Sequence, residues 1–402
     1  MRFVQVYDYS AEEKQALLPW LDAALPLPPA PSRVATSAAA PGAAGAGAGA
    51  RGACDDSGRW PGTRDRVRGM LLGLAIGDSL GNTSEGMAPA ERRDIHGRAH
   101  GDKNGDVRDY LPNPREEGWT VGLPSDDTQL SFWTLESLLR RGGLDPTDLA
   151  DTFTRQDRIY GIGSTLTAFL LAYRFGGKHW FEAGQPSAGN GALMRIAPLL
   201  LPHLAAIGSD LWRDVIVATA LTHRDEAAVA ASVGFAGLLA ECLAWRDSGP
   251  PAATWWPETF VRYARGVETD DRYGARVPND PFWGTLCDRV EQLVFPAIDA
   301  GTSVVKAADG WFSGPYLLET VPCVLLILAR HAGEPEEALV RAVNDTWDND
   351  TVAAVVGSAV GALHGEQSLP TRWREDLLGR TREQDDGHVQ RLTERAVETF
   401  VG

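Results

Sequence analysis

Along most of the chain after residue 63, apolar residues recur three and four positions apart, the period of a helix with one buried face. Residues 64–81 (RDRVRGMLLGLAIGDSLG), 129–141, 211–222, 225–246, 317–331 and 335–343 carry this pattern. In the second of these, Leu130, Trp133, Leu135, Leu138 and Leu139 share the apolar face. The stretch 345–365, DTWDNDTVAAVVGSAVGALHG, predicts a further helix with one smooth side, because Ala353, Ala354, Gly357, Ser358 and Gly361 lie three and four apart. Glycines 69, 73 and 77 lay a similar stripe on the 64–81 helix, so the two helices are expected to cross with their backbones in close approach. Asp145-Pro146 reads as a helix start, glycines 161 and 163 precede another helix, and residues 184–198 (GQPSAGNGALMRIAP) read as a Gly-rich turn entering a helix. No credible strand pair is found in the body. The fold class expected is therefore all-α, a compact orthogonal helical bundle.

The pattern also divides the chain. Residues 1–25 form a small N-terminal arm, in which RFVQVYDY alternates like a strand, Ser10 with Glu13 makes a capping box, and Pro19 interrupts the short helix that follows. Residues 26–60, rich in Ala, Pro and Gly, read as a flexible linker, and the main domain runs from 61 to 402. Within it, residues 86–124 are polar and irregular. Residues 248–315 are proline-rich and aromatic, with Trp255, Trp256, Phe260, Phe282, Trp283, Trp311 and Phe312 expected to pack in the core.

Composition narrows the function. A formal charge of −16 over 402 residues argues against a nucleic-acid or anionic-membrane surface. No apolar run is expected to reach the length of a bilayer span, and MRFVQVYDYSAEEK lacks the basic start and apolar core of a signal peptide, so a cytoplasmic protein is expected. Cys54, Cys242, Cys287 and Cys323 are widely spaced, which suggests buried thiols and neither a disulfide framework nor a thiolate metal site.

The candidate chemistry sits at two helix starts. Asp348, Asp350 and Thr351 open one helix; Ser125, Asp126, Asp127 and Thr128 open another. Carboxylates suit the positive end of a helix dipole, and together these groups offer oxygen-only ligation, which favours hard cations such as Mg²⁺ or Mn²⁺ over zinc. Asp78 and Glu85 are expected to lie near both starts. The two glycine-rich turns, around Gly161 and Gly163 and around Ser187, Gly189, Asn190 and Gly191, have the form of anion-binding loops, and His223 lies at a helix junction from which it could bond a ligand.

In this order, GMLLGLAIGDSLG, SDDTQ, GNGALMRIAPL, Thr222-His223 and DNDTVAAVVGSAVGALHG resemble the ADP-ribosylglycohydrolase family, which includes the dinitrogenase reductase-activating glycohydrolases, over roughly residues 64–380. The resemblance implies an all-helical fold with a binuclear centre of two Mg²⁺ (or Mn²⁺) that removes ADP-ribose from a modified residue. It implies Ser125, Asp126, Asp127, Asp348, Asp350 and Thr351 as metal ligands, with Glu85, Asp126, Asp127 and Asp350 as the catalytic set. The 161–165 and 187–194 loops would hold the diphosphate, with Asn190 facing the ligand, and Trp180, Phe181 or Tyr316 would stack on adenine or line the distal ribose. Two departures stand out: Thr346-Trp347 replaces a Gly-Gly pair, and Asn349 replaces a Thr, so the bulk of Trp347 is expected to reshape the substrate mouth.

The activity this implies is hydrolysis of protein-linked ADP-ribose, with the N-linkage to arginine as the first expectation. Glu85 and the ligand aspartates are both open as general acid. An alternative of another class is an immunity or interaction protein that neutralises an ADP-ribosyltransferase toxin, with the N-terminal arm contacting that partner. A metal phosphohydrolase acting on nucleotides shares the acidic ligands but has no need of the ordered glycine motifs.

Overall fold

The computed structural model describes residues 10–13, 15, 62–112, 120–269 and 272–402. In chain order the main helices are α1 (Thr63–Gly81), α2 (Asp126–Arg141), α3 (Pro146–Thr154), α4 (Ser164–Leu170), α5 (Ser209–Ala220), α6 (Glu226–Ala244), α7 (Trp255–Ala264), α8 (Leu286–Asp299), α9 (Val304–Trp311), α10 (Leu317–His331), α11 (Pro335–Asp345), α12 (Asn349–His364) and α13 (His388–Ala396). The helices expected from the apolar period are all present, with ends displaced by no more than about one turn. Asp145 caps α3 through the Asp148 amide at 3.0 Å, as its Asp-Pro start implies.

Three expectations are corrected. The proline-rich 248–315 stretch holds α7, α8 and α9, with Pro257 in the first turn of α7 and Pro296 inside α8 near its end, and its aromatic residues are not all core. Thr285 and Asp288 close a capping box that opens α8, and Leu286, Val290 and Val294 bury its apolar stripe. Of the seven aromatic residues expected in the core there, Trp256 and Phe260 are buried, Trp283 is 68% exposed and the other four are half-buried. The segment after Asn190 forms two 3₁₀ turns, Leu193–Arg195 and Ala197–His203, instead of an α-helix, since Pro198 and Pro202 deny it the amides that an α-helix needs. A short antiparallel strand pair, β1 (Tyr273–Gly274) with β2 (Trp283–Gly284), closes a hairpin where no strands were expected.

The core is built around α6 and α12. α6 is long and apolar enough by composition to cross a membrane, with a mean hydropathy of 1.8, although Glu226 and Glu241 interrupt its apolar run and 89% of it is buried inside the protein. Cys242, Cys287 and Cys323 are buried thiols, as expected.

The predicted close crossing is between α1 and α12, which run antiparallel. A methyl group placed on Gly73 would meet the Gly357 carbonyl oxygen at 2.2 Å, and one on Gly69 would meet that of Gly361 at 2.4 Å. Farther along α1, Gly77 faces Ala353, and Gly81 lies over Asp350, whose Cα would stand 2.5 Å from an added methyl. No other residue fits at these four positions without separating the helices.

In the arm, the Ser10 amide donates to Glu13 Oε2 at 2.7 Å and the Glu13 amide to Ser10 Oγ at 3.2 Å, the expected capping box. Glu13 is buried, and its Oε1 accepts the Trp180 indole N–H at 3.1 Å, which docks this turn on the body. The strand-like RFVQVYDY, Pro19, the 26–60 linker and Cys54 lie outside the described residues.

Gly73→Ala is expected to destabilise the protein by about 1–3 kcal/mol, the usual range for forcing extra volume into a packed interior. Gly310→Ala in α9, where an added methyl meets nothing within 4 Å, is expected to be neutral or slightly stabilising. Urea denaturation of both variants checks this; equal midpoints would mean that the crossing tolerates extra volume.

Candidate active site

The antiparallel crossing delivers the last turn of α1 to the first turn of α12, and α2 starts beside them. Its N-terminus has no cap from its own Ser125 side chain. Asp78 of α1 performs that task from outside: its carboxylate accepts the Ser125 amide at 2.9 Å, the Ser125 hydroxyl at 2.5 Å, the Thr128 amide at 3.0 Å, the Thr128 hydroxyl, and Asn82 Nδ2 at 3.1 Å. Two carboxylate oxygens have about four acceptor sites, so Asp78 is saturated. The sequence placed it near the site but assigned it no task. Here it fixes where Asp126 and Asp127 stand.

The acids converge in two groups that share Asp350. Oxygens of Asp78, Asp127 and Asp350 lie within 4.8 Å of one another, and so do those of Glu85, Asp348 and Asp350. All are buried except Glu85, which is exposed. Asp350 Oδ1 accepts the Thr351 amide at 2.9 Å, and Asp127 Oδ2 accepts the Thr351 hydroxyl at 3.3 Å. Asp127 Oδ1 is buried with no hydrogen-bond partner. Asp126 joins neither group; Gly161, at φ 79°, packs against its Oδ1.

Burial raises the carboxyl pKa values of Asp126, Asp127 and Asp350 well above the ordinary range, and like-charged neighbours raise them further. Asp348 rises to about 7, burial again leading, partly offset by the bond from Asn190. An orphaned buried oxygen among crowded carboxylates has the chemistry of a divalent-cation site. The Ser125 and Thr351 hydroxyls fit such a site as well: each gives its proton to a carboxylate and keeps lone pairs to offer.

The second glycine loop is threaded between two strands of backbone. The Gln185 amide bonds Thr222 O at 2.9 Å and the Arg224 amide bonds Gln185 O at 2.7 Å; on the other side the Asn190 amide bonds Pro315 O and the Leu317 amide bonds Ala188 O, each at 3.0 Å. Ser187 Oγ pairs with Thr165 Oγ1 at 2.9 Å, joining this loop to the start of α4, where Gly163 is the residue before the first turn. The two expected anion loops therefore meet.

Several expected roles change. The Asn190 side chain does not face outward: its Nδ2 donates to Asp348 Oδ2 at 2.5 Å and to Thr320 Oγ1 at 3.1 Å, so it holds an acidic residue in place. His223 is buried beneath Gly189 and Gly191, with Nδ1 at 2.8 Å from Thr222 Oγ1 and its pKa pushed down to about 3 by burial, which leaves it neutral under the loop. Trp180 is in the core, bonded to Glu13, with Phe181 edge-on to it. Tyr316 is buried, with the Arg276 guanidinium over its ring at 4.0 Å. None of these three rings stands open for adenine.

Positioning residues that the sequence did not single out surround the Glu85 loop. Arg92, fully buried, donates to Ser84 Oγ at 2.9 Å, Ser84 O at 3.1 Å, Met87 O at 3.0 Å and Thr346 O at 2.9 Å, which ties the loop to the start of the second acidic motif. Asn349 turns away from the acids and bonds Gly81 O and Ser84 Oγ, each at 3.1 Å. Trp347 is 43% exposed on the rim. Only Asn349 and Trp347 carried a sequence signal, as departures from the family pattern; the partners of Arg92 come from segments that only the fold brings together.

Comparison with known proteins agrees with this geometry. The family model described as ADP-ribosylglycohydrolase matches residues 59–401. The chain is 25% identical over 340 residues to ADP-ribosylarginine hydrolase Tri1 of Pseudomonas putida (strain GB-1), which covers 82% of this chain and 77% of that one. It is also 25% identical over 348 residues to ADP-ribosyl-[dinitrogen reductase] glycohydrolase of Rhodospirillum rubrum, covering 85% of this chain and 97% of that one. A solved structure, an ADP-ribosylglycohydrolase-related protein complex, aligns with a TM-score of 0.60 at 27% identity, over 85% of this chain and 99% of that one. An all-helical bundle with acids gathered at two helix starts, matched by the family model over most of its length, places this chain in the ADP-ribosylglycohydrolase family of hydrolases.

Proposed function

We propose that this chain is a divalent-cation-dependent hydrolase that releases ADP-ribose from arginine side chains of modified proteins. The observation that carries the cation dependence is the unpartnered, buried Oδ1 of Asp127 within two acidic groups that share Asp350. Similarity to a relative named ADP-ribosylarginine hydrolase supports the linkage, as does the negative charge at the rim, which suits a cationic leaving group.

Asp127, Asp348 and Asp350, with Asp126 and the hydroxyl oxygens of Ser125 and Thr351, would hold the metal. Bound there, Mg²⁺ or Mn²⁺, two in number if each acidic group takes one, would polarise ribose hydroxyls and lower the pKa of a water. The 161–165 and 187–191 loops would receive the diphosphate through backbone N–H groups. With His223 neutral, that attraction comes from amide dipoles and not from an imidazolium.

Proton transfer falls to Glu85. As the glycosidic bond breaks, the leaving nitrogen must gain a proton and the attacking water must lose one. Asp78 is saturated with donors and Asp348 is held by Asn190, whereas Glu85 stands at the solvent edge of the group, on a loop pinned by Arg92 and by the Gly86 amide to Trp347 O at 3.0 Å. A carboxyl there can give its proton to the leaving nitrogen and regain one from the attacking water.

Alanine at Asp126 or at Asp350 is expected to abolish release of ADP-ribose from ADP-ribosylarginine protein, followed by chromatography, while circular dichroism retains the helical signal. Turnover retained in both variants would remove the acidic cluster from the reaction. Glu85→Gln is expected to lower kcat by about 10²–10⁴-fold, the usual worth of a general acid–base, with ADP-ribose affinity by calorimetry little changed.

The raised carboxyl pKa values set a pH dependence. Raised pKa values mean that these groups hold protons in the metal-free fold, and that fold loses stability as pH rises from the ordinary carboxylate range through about 7 for Asp348, with the other raised carboxyls acting in the same direction. A cation must displace those protons and relieves the repulsion. The increase in melting temperature on adding Mg²⁺ or Mn²⁺ is therefore expected to be larger at pH 8 than at pH 6; an equal or reversed difference would count against cation binding by these acids.

A further inference from the structure

Trp347 stands next to Asp348 in the chain, at the edge of the acidic site, with its side chain partly open to solvent. It precedes Asp348, its amide donates to Ser313 Oγ at 2.9 Å, and its carbonyl accepts the Gly86 amide next to Glu85 at 3.0 Å. Its backbone is thus tied to the loops on both sides, yet its side chain is 43% exposed. The nearest ring is that of Phe312, with centroids 6.4 Å apart and planes tilted by 35°. Phe312 has φ 61°, a conformation that a bulky residue rarely adopts, so the surrounding structure holds this ring in place against its backbone preference. The exposed, backbone-anchored Trp347, with the half-buried Phe312 ring near it and the Glu85 loop tied to its carbonyl, offers two things at once: π faces and negative charge.

We propose that Trp347, with Phe312, is the shelf that receives the guanidinium of the modified arginine, its plane against the indole and its N–H edges towards Glu85. The inference rests on the arginine-linked reading above and names the residues that would read that linkage. A planar cation satisfies both surfaces, because guanidinium stacks on an aromatic face and donates in a fork to carboxylates. A serine-linked ADP-ribose presents a neutral oxygen at the same place and gains from neither.

The test uses the full-length protein as wild type, Trp347→Phe and Trp347→Ala, with arginine-linked and serine-linked ADP-ribosyl peptides and with agmatine as a competing guanidinium. Trp347→Ala is expected to raise KM for the arginine-linked peptide by about threefold to thirtyfold, the span of a cation–π contact from exposed to desolvated settings, with a smaller change in kcat. Trp347→Phe restores most of the loss, and agmatine inhibits the wild type more strongly than Trp347→Ala. An unchanged KM in Trp347→Ala, or an equal rise for both peptides, would overturn the shelf while wild-type turnover of the arginine-linked peptide still upheld the proposed function. Wild-type release from the serine-linked peptide alone would overturn the arginine linkage and the shelf together, and release from neither would overturn the proposed function and the shelf with it.

Discussion

The backbone contact between α1 and α12 is the constraint on which the rest depends. Glycines spaced by four along α1, facing Gly361, Gly357 and Ala353 of α12, leave the α1 side of the seam without side chains, so carbonyl oxygens of α12 lie where methyl groups of α1 would be. Antiparallel packing then pairs the end of one helix with the beginning of the other. Asp78 and the Glu85 loop arrive at Asp348 and Asp350 because the seam leaves them no other place to be. Larger residues in the stripe would move the carboxylates apart as well as loosen the core.

Crowding carboxylates in a buried place is unfavourable, and the structure manages it unevenly. Asp78 is compensated by donors from Ser125, Thr128 and Asn82, and so serves as an anchor that starts α2 in the right place. Asp348 is compensated in part by Asn190. Asp127 and Asp350 are left with raised pKa values, and Asp127 with an oxygen that bonds to nothing. The incompletely compensated groups are those with coordination to offer, and the saturated one supports them. Asn190 also links the glycine loop to Asp348 by a single side chain, so the expected diphosphate loop and the acidic centre form one hydrogen-bonded unit.

Much of this was legible in the chain. The small-residue stripes announced the close crossing, the acids at two helix starts announced a buried carboxylate cluster, and the Ser10–Glu13 box appeared as expected. Other features misled. The aromatic residues of 248–315 looked like core, yet Trp283 is exposed on the short hairpin. Asn190, flanked by glycines, looked like a ligand contact because sequence does not show which way a side chain turns. Trp180 and Tyr316 looked like base-stacking residues, but Glu13 engages one and Arg276 covers a face of the other.

By itself the sequence determined the helical period, the helix starts and the inventory of oxygen ligands, because those depend on neighbours within a turn or two. The tertiary structure decided which carboxylates are satisfied and which are left open, which face of Asn190 and His223 is used, and that Arg92 secures the Glu85 loop. Those outcomes depend on partners hundreds of residues away, such as Asn190 with Asp348 or Arg92 with Thr346. Local pattern carries no information about such distances; close packing of the helices supplies it.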